Sequence, residues 1–387
     1  MRQNLLSSLK KELENSFGRK VISSRDCNQM VEDIYKKTGE TVNANTLRRF
    51  FGLVKADYPP SSSTLTILSK YCGFNSIEEV EHISVKNDNP DTAVNKEEVL
   101  RYMTSLFKHT QVVANQERIF YPLVEQTIIF LERNPSLIDK FQREIAKTVT
   151  GQYYYYEKLV NMDRLNGYYG DGLRHYLRAN DTEEGRIFAH SMQIFRFWLT
   201  KNKEQLKTHM SEIAAITATS DFPDHILGRF IAAKLYHAYN MGLPIDFILA
   251  EAKRYHAGII ARREDSPFTF PDYELIICEA LLLTGHYDEG AEYIWHGKTY
   301  LVASGQEKNT LYNLWEDFAN VKRGSKSKGK ERNVDNEILQ FTFSKKYNMI
   351  IALLSGEVSK SKPSAPNQRL IELIQETGYK KLLSLLV

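Results

Sequence analysis

The sequence predicts an all-α protein. Apolar residues recur three and four apart over stretches too long for strands. The chain also carries 22 Tyr and 19 Phe against only 20 Gly and 11 Pro, which disfavours a β design built on tight Gly and Pro turns. Its 387 residues are 42% hydrophobic and 26% charged, the composition of an ordinary globular protein. A single core stops growing efficiently above roughly 250 residues, so two or more domains are expected.

Within the first eighty residues, Leu5, Leu6, Leu9, Leu13 and Phe17 mark an amphipathic helix. A second helix starts after Ser23 and Ser24, either of which suits an N-cap, and carries Cys27, Met30, Val31 and Ile34 on one side before Thr38 and Gly39. A third follows Glu40, Thr41 and Val42, with Asn43 as its N-cap and Gly52 just past its end. A fourth is announced by Pro59, Pro60 and Ser61 and holds Leu65, Leu68 and Cys72 before Gly73. Short helices with a Gly-containing turn between the second and third form a helix-turn-helix pattern.

A polar stretch at 84–96 lacks any apolar repeat and reads as a linker, giving a first domain over 1–83 and a second over 97–387. Helical spacing resumes with Leu100, Met103, Leu106 and Phe107, then with Ile119, Leu123, Thr127, Phe130 and Leu131. It continues with Ile187, Ser191, Ile194, Phe195 and Trp198, and with Ile226, Phe230, Ala233, Leu235 and Tyr239. Short breaks such as Asn134-Pro135 and Gly242-Leu243-Pro244 make consecutive helices antiparallel neighbours. Two further polar stretches, 322–333 and 356–367, read as loops.

The third helix can be resolved by angle. At about 100° per residue, Leu47, Phe50 and Phe51 share one sector, which must face the other helices. Asn45 and Arg49 then point away, flanked by Thr46 and Arg48. That face holds groups suited to base edges and phosphates, with no carboxylate among them. Charge agrees locally. The whole chain carries 51 basic and 48 acidic residues, net +3, too even to argue for nucleic acid. Residues 1–55 alone hold eleven basic and six acidic residues, a surplus of five, so the remainder is slightly acidic.

On Ile34 to Gly39, Thr46-Leu47, Gly52, and Pro60-Ser61 through Leu65, Leu68 and Gly73, residues 20 to 80 resemble the lambda-repressor-like (Xre-type) helix-turn-helix family. The turn is about two residues longer than usual, and the Gln that commonly opens the second helix has no counterpart. Phosphate positioning would fall to Ser23, Ser24, Arg25, Lys36 or Lys55. The resemblance implies DNA contacts from Asn43, Asn45, Thr46, Arg48, Arg49 and Lys55. In the second domain an apolar helix from Tyr273 ends at Gly285, a tight turn follows, and Gly290 and Ala291 open a second helix, where small residues let two helices cross closely. Leu281, Gly285, Tyr287 and Gly290 make this hairpin resemble a tetratricopeptide repeat unit. The fold expected is therefore a helix-turn-helix bundle followed by a tetratricopeptide-like solenoid of antiparallel helix pairs.

Other chemistry finds little support. The segment from Gly324 to Glu331 has the two glycines and lysine of a phosphate-binding loop, but Glu331 stands where Ser or Thr must hold magnesium. The ten histidines include no His-Glu-x-x-His pair, and no nucleophile elbow or catalytic cysteine context is present, so neither catalytic residues, metal nor cofactor is expected. The Tyr153 to Tyr156 run suits interhelical packing with its hydroxyls wet. Cys27, Cys72 and Cys278 are odd in number and far apart, as reduced thiols in a cytoplasmic protein would be. The N-terminus has no signal-peptide core, and no stretch is long and apolar enough for a membrane span.

The expectation is a cytoplasmic, non-enzymatic transcription regulator that binds double-stranded DNA as a homodimer, its helical array binding a regulatory ligand, a peptide or another protein. The alternative is a scaffold or adaptor acting through the helical array alone.

Overall fold

The computed structural model describes residues 2–55, 60–74, 95–112, 117–262, 272–299, 306–324, 342–358 and 365–385. Every regular element among them is helical, so the protein is all-α. The expected linker at 84–96, apart from its last two residues, lies outside the described residues. So do 325–333 of the expected basic loop, with most of the phosphate-loop-like segment, and 359–364 of the last polar stretch. The chain divides into two compact units, Met1–Val99 and Leu100–Val387.

The first unit contains α1 (Arg2–Phe17), α2 (Ser24–Thr38), α3 (Ala44–Phe51) and α4 (Ser62–Tyr71). Ser23 is the cap of α2: its hydroxyl accepts from the Asp26 amide at 3.2 Å, and the Asp26 carboxylate accepts back from the Ser23 amide at 3.0 Å. Such reciprocal capping satisfies two amides that a helix start leaves open, and a cap of this kind contributes about 1 kcal/mol. Gly39 and Gly52 end α2 and α3 at φ of 71° and 80°, left-handed conformations that glycine adopts without a Cβ penalty. Around them, Leu9, Leu13, Cys27, Met30, Ile34, Leu47, Phe50 and Leu68 form one buried cluster. Each of the four helices thus gives one apolar stripe to a common core. The Tyr71 hydroxyl donates to the Asp33 carboxylate, tying the end of α4 to α2.

In the second unit the helices are α5 (Lys96–His109, whose first residues precede the division), α6 (Glu117–Arg133), α7 (Ile138–Ile145), α8 (Tyr168–Ala179), α9 (Glu183–Leu199), α10 (Lys203–Ile213), α11 (Asp224–Met241), α12 (Asp246–Arg262), α13 (Tyr273–Leu283), α14 (Tyr287–Thr299), α15 (Gln306–Lys322), α16 (Ser344–Val358) and α17 (Ala365–Thr377). Consecutive helices pack as pairs, α9 on α10, α11 on α12 and α13 on α14. Alternate helices also touch: α9 packs on α11, α11 on α13 and α13 on α15. That pattern makes two layers, with the odd-numbered helices side by side in the more buried one. All eleven residues of α13 are buried, which its unbroken apolar run from Leu275 to Ile277 and from Ala280 to Leu283 permits. A Cβ on Gly290 would lie 2.6 Å from Leu282 Cδ2, so α14 approaches α13 where the sequence provides no side chain.

The far end of the chain returns to the middle. The Asp163 carboxylate accepts from the Ser344 hydroxyl (3.2 Å) and from the amides of Lys345 (3.0 Å) and Lys346 (3.2 Å), capping α16 from a residue some 180 positions earlier. Tyr379 donates to the Met162 carbonyl, and the Asn166 amide donates to the Thr377 carbonyl at 3.0 Å.

Three sequence expectations need correction. In α6 the buried positions are Phe120, Val124, Thr127, Ile128 and Leu131, while Leu123 and Phe130 are half-buried, so the stripe is rotated by about a residue from the one expected. In α11, Tyr239 is exposed, its ring near the Lys381 ammonium. Tyr153 to Tyr156 lie in a π-helix, Gly151–Lys158, and three of them are fully buried rather than half-wet. Two of these hydroxyls are satisfied inside: Tyr156 donates to the Gln142 carbonyl at 3.0 Å, and Tyr155 accepts from the Gln142 amide at 3.1 Å.

Candidate nucleic-acid interface

Helix α3 is short, so its two faces are set by few residues. Leu47 and Phe50 are buried and Phe51 is half-buried against the core. Asn43, Asn45, Arg49 and Lys55 are exposed, and Thr46 and Arg48 are half-buried at the margins. The structure therefore gathers Asn45, Thr46, Arg48 and Arg49 on one solvent-facing side of α3, with Asn43 at its start and Lys55 three residues past Gly52.

These six side chains are not equally available. The Asn43 carbonyl oxygen caps α3 by accepting from the Asn45 amide at 2.8 Å, which leaves its NH2 to donate outward. Arg48 donates from Nη1 to Asn45 Oδ1 at 2.7 Å and from Nη2 to Asn28 Oδ1 at 3.1 Å, while its Nε is buried without a partner. The guanidinium thus bridges α2 and α3. Its charge is felt at Cys27, whose thiol burial pushes up and the Arg48 charge pulls down. Arg49 and Lys55 carry no ion pair or hydrogen bond among the described residues. They are the most available cations of the set.

Carboxylates near this surface are largely occupied. Glu14 pairs with Lys20 (3.6 Å), Asp26 with Arg19 (3.1 Å), Asp33 with Lys37 (3.3 Å) and Glu40 with Lys70 (2.7 Å). The hydrogen bond from Ser23 holds the Asp26 carboxyl below the usual range, and the one from Tyr71 does the same for Asp33. Both acids stay ionised and so remain paired at neutral pH. The surplus positive charge is consequently left on Lys11, Arg25, Lys36, Arg49 and Lys55, which are exposed and have no carboxylate partner among the described residues. Glu12, half-buried on α1, and Glu32, an exposed acid one turn beyond Asn28 on α2, are the exceptions.

Asn28 was not singled out in the sequence. It sits between the core positions Cys27 and Met30, exposed on the outer side of α2. Compared with known proteins, the chain matches no family model, no curated protein and no solved structure. Among the described residues no three His, Cys, Asp or Glu side chains are placed to hold a metal ion, and no helix is long and apolar enough to cross a membrane. Cys27, Cys72 and Cys278 are free thiols, two of them buried.

Proposed function

We propose that the chain is a sequence-selective DNA-binding transcription regulator, with α2 and α3 as a lambda-repressor-like helix-turn-helix and the layered helices as a tetratricopeptide-like domain that binds a regulatory ligand, a peptide or a protein. The observation that carries this reading is the outer face of α3, where exposed Asn45 and Arg49 have no carboxylate partner among the described residues and a fixed Arg48 braces the helix against α2. In this role α3 enters the major groove. Arg49 supplies a fork for guanine or phosphate, Asn45 donates its free NH2, and Lys55 and Arg25 steady the backbone. Dimerisation through the helical domain places two such helices on neighbouring half-sites.

A second reading, a scaffold or adaptor, is favoured by one feature. Tyr239, Met241, Leu243 and Phe247 expose large apolar side chains in succession at the end of α11 and the start of α12, with Phe247 at 88%, and such patches mark protein contacts. A salt titration with duplex DNA separates the readings. Retention that weakens steeply with salt supports the regulator; no retention at low ionic strength supports the scaffold.

A further inference from the structure

Between α11, α13 and the start of α16 lies a small cavity of about 30 Å³. It is walled by apolar groups, among them Met162, Leu275, Ile276 and Phe343, but four charged side chains also line it: Lys158, Arg229, Glu279 and Lys346. Charge is expensive in such a place unless paired. Lys346 and Glu279 meet that demand, with Nζ 2.8 Å from both carboxylate oxygens, and the Tyr347 hydroxyl donates to the same carboxylate at 3.3 Å. Lys158 approaches the Nδ1 of buried His225 at 3.5 Å. Neighbouring acids are engaged elsewhere, Asp163 on the amides of α16 and Glu157 on His225 and Tyr176.

Arg229 is different. It is half-buried, yet it makes no hydrogen bond or ion pair among the described residues. Its side chain lines the cavity, and its charge lowers the Lys346 ammonium, already lowered by burial, and is felt at His225, Tyr236 and Tyr347. With Lys346 paired to Glu279 and Lys158 engaged at His225, Arg229 is the lining cation whose fork has no partner among the described residues.

We propose that this cavity binds the carboxylate of a small organic acid, the Arg229 fork holding the carboxylate and the apolar wall excluding water around it. A planar guanidinium matches a carboxylate with two parallel hydrogen bonds. One negative charge offsets the unpaired one, and the space suits a group about the size of one or two waters better than a tetrahedral phosphate. The two cationic neighbours keep such an anion ionised. The site deepens the ligand-binding part of the reading above by naming the ligand chemistry, and its test needs no DNA.

The probe is hexanoate, titrated calorimetrically into the full-length protein, with inorganic phosphate and the uncharged hexanol as comparisons. Saturable binding of hexanoate that Arg229→Gln weakens tenfold or more, with Arg229→Lys intermediate, is the expected result. Wild-type protein alone gives a second readout: hexanoate raises the thermal unfolding midpoint and hexanol does not. Absence of hexanoate binding, equal binding by a folded Arg229→Gln variant, an equal midpoint shift with hexanol, or a preference for phosphate would each overturn the proposal. Loss of the hexanoate effect while DNA selection persists overturns the carboxylate site alone.

Discussion

Arg48 reaches across from α3 to Asn28 on α2, its Nη2 3.1 Å from the Asn28 Oδ1, while Nη1 holds Asn45 one turn earlier in its own helix. One side chain thus fixes both the angle between two helices and the amide orientation of the residue beside it. In the proposed DNA-binding role, Arg48 positions its neighbours as much as it makes contact.

Arg48→Ala and Arg49→Ala should therefore behave differently. Removing Arg48 deletes two hydrogen bonds from a charged donor, worth about 1 to 3 kcal/mol together, so the denaturant midpoint falls along with DNA affinity. Removing the exposed Arg49 leaves stability within about 0.5 kcal/mol. It weakens DNA binding and lowers the salt slope by about one if Arg49 neutralises a phosphate. Equal stability losses in the two variants would contradict this division.

Glu32 is an acid on the outer side of α2, one turn past Asn28. If that side faces phosphates, Glu32→Gln tightens DNA binding at low salt, and the gain shrinks as salt is added. An anisotropy titration with Glu32→Gln that shows no change, or a loss, places DNA elsewhere.

The sequence made much of this arrangement readable, and for identifiable reasons. The outer face of α3 follows from rotation alone because Leu47, Phe50 and Phe51 fill the other side, and caps such as Asn43 and Gly52 act through local chemistry. What stayed hidden depends on distant partners. The bridge from Arg48 to Asn28 spans two helices. The capping of α16 by Asp163 joins residues far apart in the chain, and the tyrosines of the π-helix pack against Phe120 and Gln142 from other segments. The Arg229 cavity was invisible for the same reason, since its four charges come from four separate segments.

Two glycines of α14 let it pack closely on its neighbours. A Cβ at Gly297 would lie 2.1 Å from the Tyr312 hydroxyl and 2.2 Å from its Cζ, and Tyr312 is buried with that hydroxyl donating to Asp272 at 2.8 Å. Gly297→Ala should cost about 1 to 3 kcal/mol by overpacking, and more than Gly290→Ala, whose neighbour Leu282 can shift its terminal carbons. Urea unfolding of both variants checks the order.

Acid sensitivity has a defined source. Burial pushes the imidazoles of His209 and His225 down to about 4 from 6.5, helped by His190 and Arg196 at the first and by Lys158 and Arg229 at the second, while Glu157 opposes the shift at His225. His190, whose Nδ1 is 2.9 Å from that of His209, is lowered as well. A histidine lowered in the folded state binds its proton more readily when unfolded. Its contribution is complete above about pH 6.5 and is lost as pH falls toward 4. The thermal midpoint should drop across that window, and His209→Gln should flatten the drop. A midpoint independent of pH from 7 to 4 would refute the assignment.

The central claim is that the outer face of α3 reads a DNA sequence. The most direct measurement is selection of bound duplexes from a random pool by the full-length protein, run in parallel with Arg49→Ala. The account predicts enrichment of one motif by the wild-type chain and its loss or degeneration with the variant. No enriched sequence from the wild-type protein, or the same motif at the same strength from Arg49→Ala, would contradict it.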